Sequence, residues 1–347
     1  MSASPAPAIQ HAIRQLAMGH SLNESESRAA FTMVMQGEAT PAQIAALLTG
    51  LRVKGETADE VAGAADAMRG AMVHLPADRP SELVDTCGTG GGAVGTFNIS
   101  TAAALLAAGL GVRVAKHGNR SFTSQCGSAD VLEALGVTID VSVDVMERAL
   151  RDAGIVFMFA PLMHPAMRHV GPVRRELAIP TVMNIVGPLA NPAGAGRQVV
   201  GVADAKRVPL IAGALRALDT VHALVVHGEP GMDEISPIGP THVVEIRDGT
   251  TREWVIEPQR YGFAAGDVAE LAGGPPAENA AAVLRVLDGT AAETATAAVV
   301  LNAAAALYLA PGGPSEFGDA LVAVRAGLKD GAGLAALNRL RKAFSGA

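Results

Sequence analysis

From Leu83 onward the chain alternates short apolar runs with stretches of helical pattern, and no other feature constrains the fold as tightly. Leu83 to Thr86, Val112 to Ala115, Ile155 to Ala160, Val199 to Val202 and Val221 to Val226 read as strands, with helical stretches between them. Successive βα units predict an α/β fold with a mainly parallel central sheet. Thr241 to Arg247 and Arg252 to Glu257 flank Asp248-Gly249, a tight-turn dipeptide, so an antiparallel hairpin is expected beside that sheet. Ala264 to Ala277, rich in Gly and Pro, reads as an irregular connection, and residues from Glu278 on read as helical. Hydrophobic residues make up 49% of the chain but aromatics only 3%. Ala, Val, Leu and Gly must therefore build the core, which suits closely packed helices and strands buried on both faces.

The first hundred residues open with helices. Ser21 with Glu24, Thr40 with Gln43, and Thr57 with Glu60 each place a hydroxyl three residues before a Glu or Gln, as a capping box requires. Pro41 takes a first helical position, Ile44, Leu47, Leu48 and Leu51 share one face, and Gly37, Gly55 and Gly70 supply stops. Met1 to Gln10 has no basic segment followed by an apolar core, so it reads as a loose tail and not as a secretory signal. Ala102 to Ala115 and Ala297 to Ala310 are broken by Gly109 and Gly111 and by Asn302. They fall short of the roughly 20 residues of a membrane span and read as buried helices. A net charge of −7 with scattered Lys and Arg gives no footprint for nucleic acid. Two cysteines, Cys87 and Cys126, exclude a disulfide scaffold and point to a reducing cytoplasm.

The strongest local signal is Asp85-Thr86-Cys87-Gly88-Thr89-Gly90-Gly91-Gly92, which follows a strand and precedes Thr96-Phe97-Asn98-Ile99-Ser100-Thr101 and a long helix. Glycines let backbone N–H groups approach a phosphate, and the helix start adds free N–H groups and a positive dipole end. The segment reads as an anion cradle, although such turns also occur for packing alone. Asn98, Ser100 and Thr101 either cap the helix or bind phosphate and metal. Lys116-His117-Gly118-Asn119-Arg120-Ser121-Phe122-Thr123-Ser124 ends the second strand, on the edge where open α/β sheets bind ligands; the plain alternative is a solvated loop. Ser128 reads equally as the N-cap of the next helix. Gly231-Met232-Asp233-Glu234 follows the fifth strand on that edge. Its adjacent carboxylates are hard ligands for Mg²⁺, or an exposed acidic pair. In Val173-Arg174-Arg175-Glu176-Leu177, after His164-Pro165-Ala166-Met167, Arg174 can fork onto a planar carboxylate or pair with Glu176 or solvent. No Ser-His-Asp ordering, HExxH pattern or activated cysteine suggests hydrolase chemistry.

Taken in order, GTGG, TFNIST, KHGNR, GSADVLEALG, FAPLMHPAM, VRREL, NIVGPLANP and GMDE resemble the anthranilate phosphoribosyltransferase family over roughly Thr40 to Gly262. The resemblance implies a small all-helical N-terminal domain, 1–78 joined by about 171–190, and a larger α/β domain, 79–170 and 191–347. It also implies a cytoplasmic homodimer formed through the helical part, with no nucleic acid or membrane as partner. Phosphoribosyl pyrophosphate would lie against Gly88, Gly91, Gly92, Thr96, Asn98, Ile99, Ser100, Thr101, Ser128 and the Lys116 to Ser124 loop. Two Mg²⁺ ions per site would be held through Ser100, Asp233 and Glu234. Anthranilate would meet Gly88, Asn119, His164 and Arg174 at a junction shaped by Asn184, Gly187 and Pro188. No acid–base residue is assigned; Lys116, Asn119 and Arg174 would act by charge and position. The expected reaction gives phosphoribosylanthranilate and diphosphate in tryptophan biosynthesis. A pyrimidine nucleoside phosphorylase and a non-catalytic nucleic-acid-binding relative are the alternatives. Two positions depart from the family: Gly92 stands where Asp is usual, and Ala178-Ile179-Pro180-Thr181 where Gly-Ile-Arg-Thr is frequent.

Overall fold

The computed structural model describes residues 7–121 and 125–345. Helices α1 (Ala8–Ala17), α2 (Glu24–Gln36), α3 (Pro41–Lys54) and α4 (Ala58–Gly70) precede strand β1 (Val84–Gly88). Then follow α5 (Ile99–Gly109), β2 (Val114–Gly118), α6 (Ser128–Ala134), α7 (Val143–Ala153), β3 (Ile155–Phe159), α8 (Ala160–Met163), α9 (Met167–Leu177) and α10 (Met183–Val186). After β4 (Arg197–Gly201), α11 (Val208–Ala217) and β5 (His222–Gly228) comes a hairpin, β6 (Thr241–Arg247) and β7 (Thr250–Ile256). The chain closes on α12 (Pro276–Leu287), α13 (Glu293–Leu309), α14 (Phe317–Lys329) and α15 (Ala332–Phe344).

Two compact units form. The helical one comprises the described residues up to His74 with Pro161–Pro192 and Pro209–Asp219. Thr40 with Gln43 and Thr57 with Glu60 make the expected capping boxes. The first box is displaced: Asn23, not Ser21, caps α2, pairing reciprocally with Glu26. Ser21 is used elsewhere, since its hydroxyl accepts from Lys54 while the Leu22 N–H next to it is taken by Glu60. The tail reading also gives way, because α1 begins at Ala8 and buries Ile9, Ala12 and Leu16; residues 1–6 lie outside the described residues. Gly37 and Gly55 stop their helices, whereas Gly70 is itself the last helical residue of α4. Helices α2 and α4 pack so closely that a Cβ at Gly63 would collide with the Glu24 carbonyl oxygen. No described helix is long and apolar enough to cross a membrane.

The second unit, Leu75–Ala160 with Ala193–Val208 and the chain from Thr220, holds a seven-stranded sheet in the order β3-β2-β1-β4-β5-β6-β7. Strands β1 to β5 are parallel, and β6 and β7 run antiparallel through a turn in which Asp248 and Gly249 have φ of 49° and 76°. Both positive values belong to the turn that matches strand twist, which Asp-Gly predicts. The order reverses between β1 and β4, so the crevice beyond their C-terminal ends is the topological switch point. Glu245 anchors the hairpin: 3% exposed, it accepts from His222 and Tyr308 on one oxygen and from Arg252 and Trp254 on the other. Burial raises its pKa, but those hydrogen bonds and the Arg252 charge outweigh it and hold the carboxyl at about 2.

Two stability measurements follow from this geometry. Ala178 ends α9 at φ 50°, a left-handed conformation that costs a non-glycine residue about 1–2 kcal/mol. Ala178→Gly should raise unfolding stability by about 1 kcal/mol after glycine's larger unfolded-state entropy is subtracted, read from denaturant midpoints. The Glu245 contribution should be complete above about pH 4.5 and disappear as pH falls toward about 2, because the folded carboxyl is the stronger acid. The midpoint difference between wild type and Glu245→Gln should therefore narrow across that window; a constant difference would show that the charge on Glu245 is immaterial.

Candidate active site

At the switch point Gly88 and Gly201 face each other in register. A Cβ on Gly201 would collide with the Asp233 carbonyl oxygen, and one on Gly88 would lie 2.6 Å from an Asp233 carboxylate oxygen. With both side chains absent, the turn after β5 lies directly across the ends of β1 and β4. There Asp233 accepts the Gly90 N–H at 2.8 Å, and Glu234 accepts the Ser100 N–H at the start of α5 at 3.1 Å. The glycine loop is tied back by Thr89 N–H to the Gly201 carbonyl and Ala93 N–H to the Gly231 carbonyl. Gly90 and Gly91 have φ of 70° and 78° with open space around them, so the backbone conformation and not crowding requires glycine.

Lys116 completes the cluster from β2. It is 4% exposed, and its ammonium donates to the Thr86 carbonyl at 2.5 Å and to the Thr86 and Ser100 hydroxyls at 3.3 Å. Burial lowers its pKa against the opposing pull of Asp85 and Glu234. The acidic pair is strained the other way. Burial raises Asp233, and burial followed by the Asp233 charge pushes Glu234 up to about 8, against the pull of Lys116 and the Ser100 hydrogen bonds. Two carboxylates disfavoured as ions by burial, Glu234 also by the Asp233 charge, are short of positive charge, so the residues present fit a divalent cation. Among the described residues no three His, Cys, Asp or Glu side chains group to hold a metal, so a cation here needs oxygens from elsewhere.

The remaining expected residues take distinct places. Asn98 stands at the N-cap position without capping: its amide donates to the Cys126 carbonyl and accepts from Asn279. Thr96 bridges to Ala272, and Ile99 is fully buried. The Thr101 hydroxyl is buried with no partner, and Thr101 lines a cavity of about 10 Å³ with Ala104, Lys116 and Phe157. The His117 N–H donates to Asp85. Gly118 has no room for a Cβ beside the Ser128 hydroxyl, which donates to the Asn119 carbonyl; Gly127, not Ser128, is the N-cap of α6. Arg120 is exposed and paired with Asp130 and Glu133, and Ser121 N–H donates to Asp130. Phe122, Thr123 and Ser124 lie outside the described residues. In the helical unit, His164 is buried, which lowers its pKa to about 4 against a hydrogen bond with the Ala190 backbone. The half-buried Arg174 guanidinium has no ion pair or hydrogen-bond partner among the described residues, and burial lowers its pKa.

Sequence reasoning passes over Gly201 and Asn279. A glycine ending a strand, and an amide in an alanine-rich helix, are the available signs. Asn279 is buried in α12, accepts the Gly274 N–H at 2.7 Å and donates to Asn98 at 2.9 Å, so it orients the Asn98 amide.

Known proteins share this fold. The family model described as "Glycosyl transferase family, a/b domain" matches residues 80–334, and "Glycosyl transferase family, helical bundle domain" matches 10–72. Anthranilate phosphoribosyltransferase of Pelotomaculum thermopropionicum is 50% identical over 81% of this chain and 81% of its own length. The crystal structure of the Thermus thermophilus enzyme of that name matches with a TM-score of 0.90 and 40% identity, covering 98% of this chain and 100% of that one. The Saccharomyces cerevisiae enzyme in complex with PRPP and Mg matches with a TM-score of 0.87 and 26% identity over 98% of both chains. The two alternative readings find no support in these relatives. A helical bundle, a mainly parallel sheet, the glycine seat and identity at half the aligned residues place the chain in the anthranilate phosphoribosyltransferase family.

Proposed function

We propose that the chain transfers the phosphoribosyl group of 5-phospho-α-D-ribose 1-diphosphate to the amine of anthranilate, releasing diphosphate, a step of tryptophan biosynthesis. The observation that carries this reading is the meeting of the glycine loop, the α5 start and the Asp233-Glu234 turn at one switch point. The loop from Gly88 to Thr101 and the segment from Lys116 to Ser124, with Ser128, take the sugar phosphates. Ser100, Asp233 and Glu234 hold Mg²⁺, two ions per site, which when bound offsets the charge growing on the departing diphosphate. Arg174 takes the anthranilate carboxylate: an unpartnered, half-buried guanidinium is costly until an anion pairs with it. His164 stays neutral near pH 7, so it presents a hydrogen-bonding ring and no charge. The division into a helical domain of about 1–78 with 171–190 and an α/β remainder, a homodimer, and a cytoplasmic location, to which Cys87 and Cys126 outside any disulfide are suited, complete the proposal.

Chemically, the C–O bond between the anomeric carbon and diphosphate breaks as the anthranilate nitrogen forms the C–N bond from the opposite face. A neutral aromatic amine is already nucleophilic and sheds its proton only as that bond forms, so no strong base is required. The chain contributes position and charge. Backbone N–H groups of the glycine loop and α5 meet phosphate oxygens, Lys116 supplies positive charge from behind Ser100, and Arg174 orients the acceptor.

Adding phosphoribosyl pyrophosphate and Mg²⁺ to the chain with anthranilate should extinguish anthranilate fluorescence; persistence of the signal would end this reading. Asp233→Ala combined with Glu234→Ala should cut turnover by about 100-fold or more in a chain that circular dichroism shows folded, and near wild-type rates at limiting Mg²⁺ would refute the cation assignment. Arg174→Ala should raise the KM for anthranilate by about tenfold or more with the phosphoribosyl pyrophosphate KM little changed, and Arg174→Lys should restore little of it because an ammonium lacks the fork.

A further inference from the structure

We infer that Asn302 is a positioning residue for the Asp233-Glu234 turn and thereby for Mg²⁺, an inference that rests on the proposed reading of those carboxylates as cation ligands. Asn302 interrupts α13, whose neighbouring residues are Ala, Val and Leu, and it is 3% exposed. An amide in such surroundings is unfavourable unless its groups are matched. Here they are matched by Ile235 and by the helix itself. Oδ1 accepts the Ile235 N–H at 3.0 Å, while Nδ2 donates to the Ile235 carbonyl at 3.0 Å and to the Ala298 carbonyl, one helical turn back, at 2.9 Å. The side chain thus reads both backbone groups of Ile235 as a neighbouring strand would, and the Ala298 carbonyl fixes which end of the amide is nitrogen.

Ile235 directly follows Glu234. Besides the backbone bonds at Gly231 and Met232 and those of Ser236 with Glu229 and Thr241, the ties on this turn, from Gly90 N–H to Asp233 and from Ser100 N–H to Glu234, use the carboxylate oxygens themselves. Those oxygens are the ones a cation would claim. The Asn302 clamp uses none of them, so it holds the backbone beneath Glu234 whether the carboxylates face N–H groups or metal. An alanine at 302 would leave the Ile235 N–H and carbonyl without this partner and let the turn drift from the sheet edge.

The experiment compares the full-length wild type with Asn302→Ala and Asn302→Ser. Alanine is at home in α13, and the serine variant keeps a hydroxyl should the alanine variant not fold. Mn²⁺ binding in the presence of phosphoribosyl pyrophosphate, followed by electron paramagnetic resonance, is measured beside Mg²⁺ half-saturation in turnover and the KM for anthranilate. Metal binding and half-saturation should both weaken by about tenfold, the size expected on losing a group that supports a metal ligand. Turnover should recover in excess Mg²⁺, and the anthranilate KM should stay within about twofold of wild type, since no metal-ligand support is lost on the acceptor. Unchanged Mn²⁺ binding in a folded variant, or a fall in kcat that excess Mg²⁺ does not recover, would overturn the inference. A wild-type chain that binds no Mn²⁺ would instead remove the functional reading and the inference with it, a result distinct from a defect confined to the variants.

Discussion

The site depends on a place where two strands carry no side chains. Gly88 and Gly201 lie opposite each other at the ends of β1 and β4, and Asp233 rests where their Cβ atoms would be. Parallel strands roughly 4.7–4.9 Å apart put both ends within reach of one crossing segment, and the missing Cβ atoms let it come close. From that seat follow the reach of Asp233 to the glycine loop, the reach of Glu234 to the first turn of α5, and the neighbourhood of Lys116. Glycine weakens a strand by roughly 0.5–1 kcal/mol relative to alanine. Against this stand the two hydrogen bonds that the Asp233 and Glu234 carboxyls accept.

The same closeness sets up the electrostatics. Asp233, Glu234 and Lys116 are all disfavoured as ions by burial, and all three pKa values move toward neutrality. One ammonium does not offset two carboxylates, and its hydrogens are already committed to Thr86 and Ser100. Burial, and after it the Asp233 charge, raises Glu234 to about 8 and so keeps it protonated near neutral pH. A charge deficit at a glycine loop is what distinguishes this turn from an ordinary exposed acidic pair, and sequence alone could not decide between the two.

Much of the architecture was legible because local patterns and tertiary packing agree. The alternation beginning at Leu83 returned five parallel strands, and Asp248-Gly249 returned its hairpin. Where local signals competed, tertiary partners decided. Ser21 and Asn23 both suit an N-cap, and Lys54 with Glu60 drew the Ser21 segment away. Asn98 stands at a helix start yet serves Cys126 and Asn279, a partner 181 residues distant that no window of sequence can show. The three active-site segments share an edge because strands of parallel βα units end on the same side. The partners that hold them, Gly201 and Asn279, give only the faint signals of a small or polar residue in an otherwise regular element.

Gly92 is best understood through the same seat. A Cβ there would stand 3.1 Å from an Asp233 carboxylate oxygen and 3.2 Å from the Gly231 carbonyl oxygen, closer than side chains normally pack. An aspartate at 92 would require the turn to yield by a few tenths of an ångström and would add a third negative charge beside a pair already resisting ionisation. With glycine, the loop has one fewer acidic side chain, and Ala93 N–H keeps its hydrogen bond to Gly231 at 2.8 Å. The substitution therefore trades a possible oxygen ligand for a tighter fit between loop and turn. Its effect falls on how the acidic pair is seated, because the Gly90 N–H that faces Asp233 is a backbone group that a change at 92 does not remove.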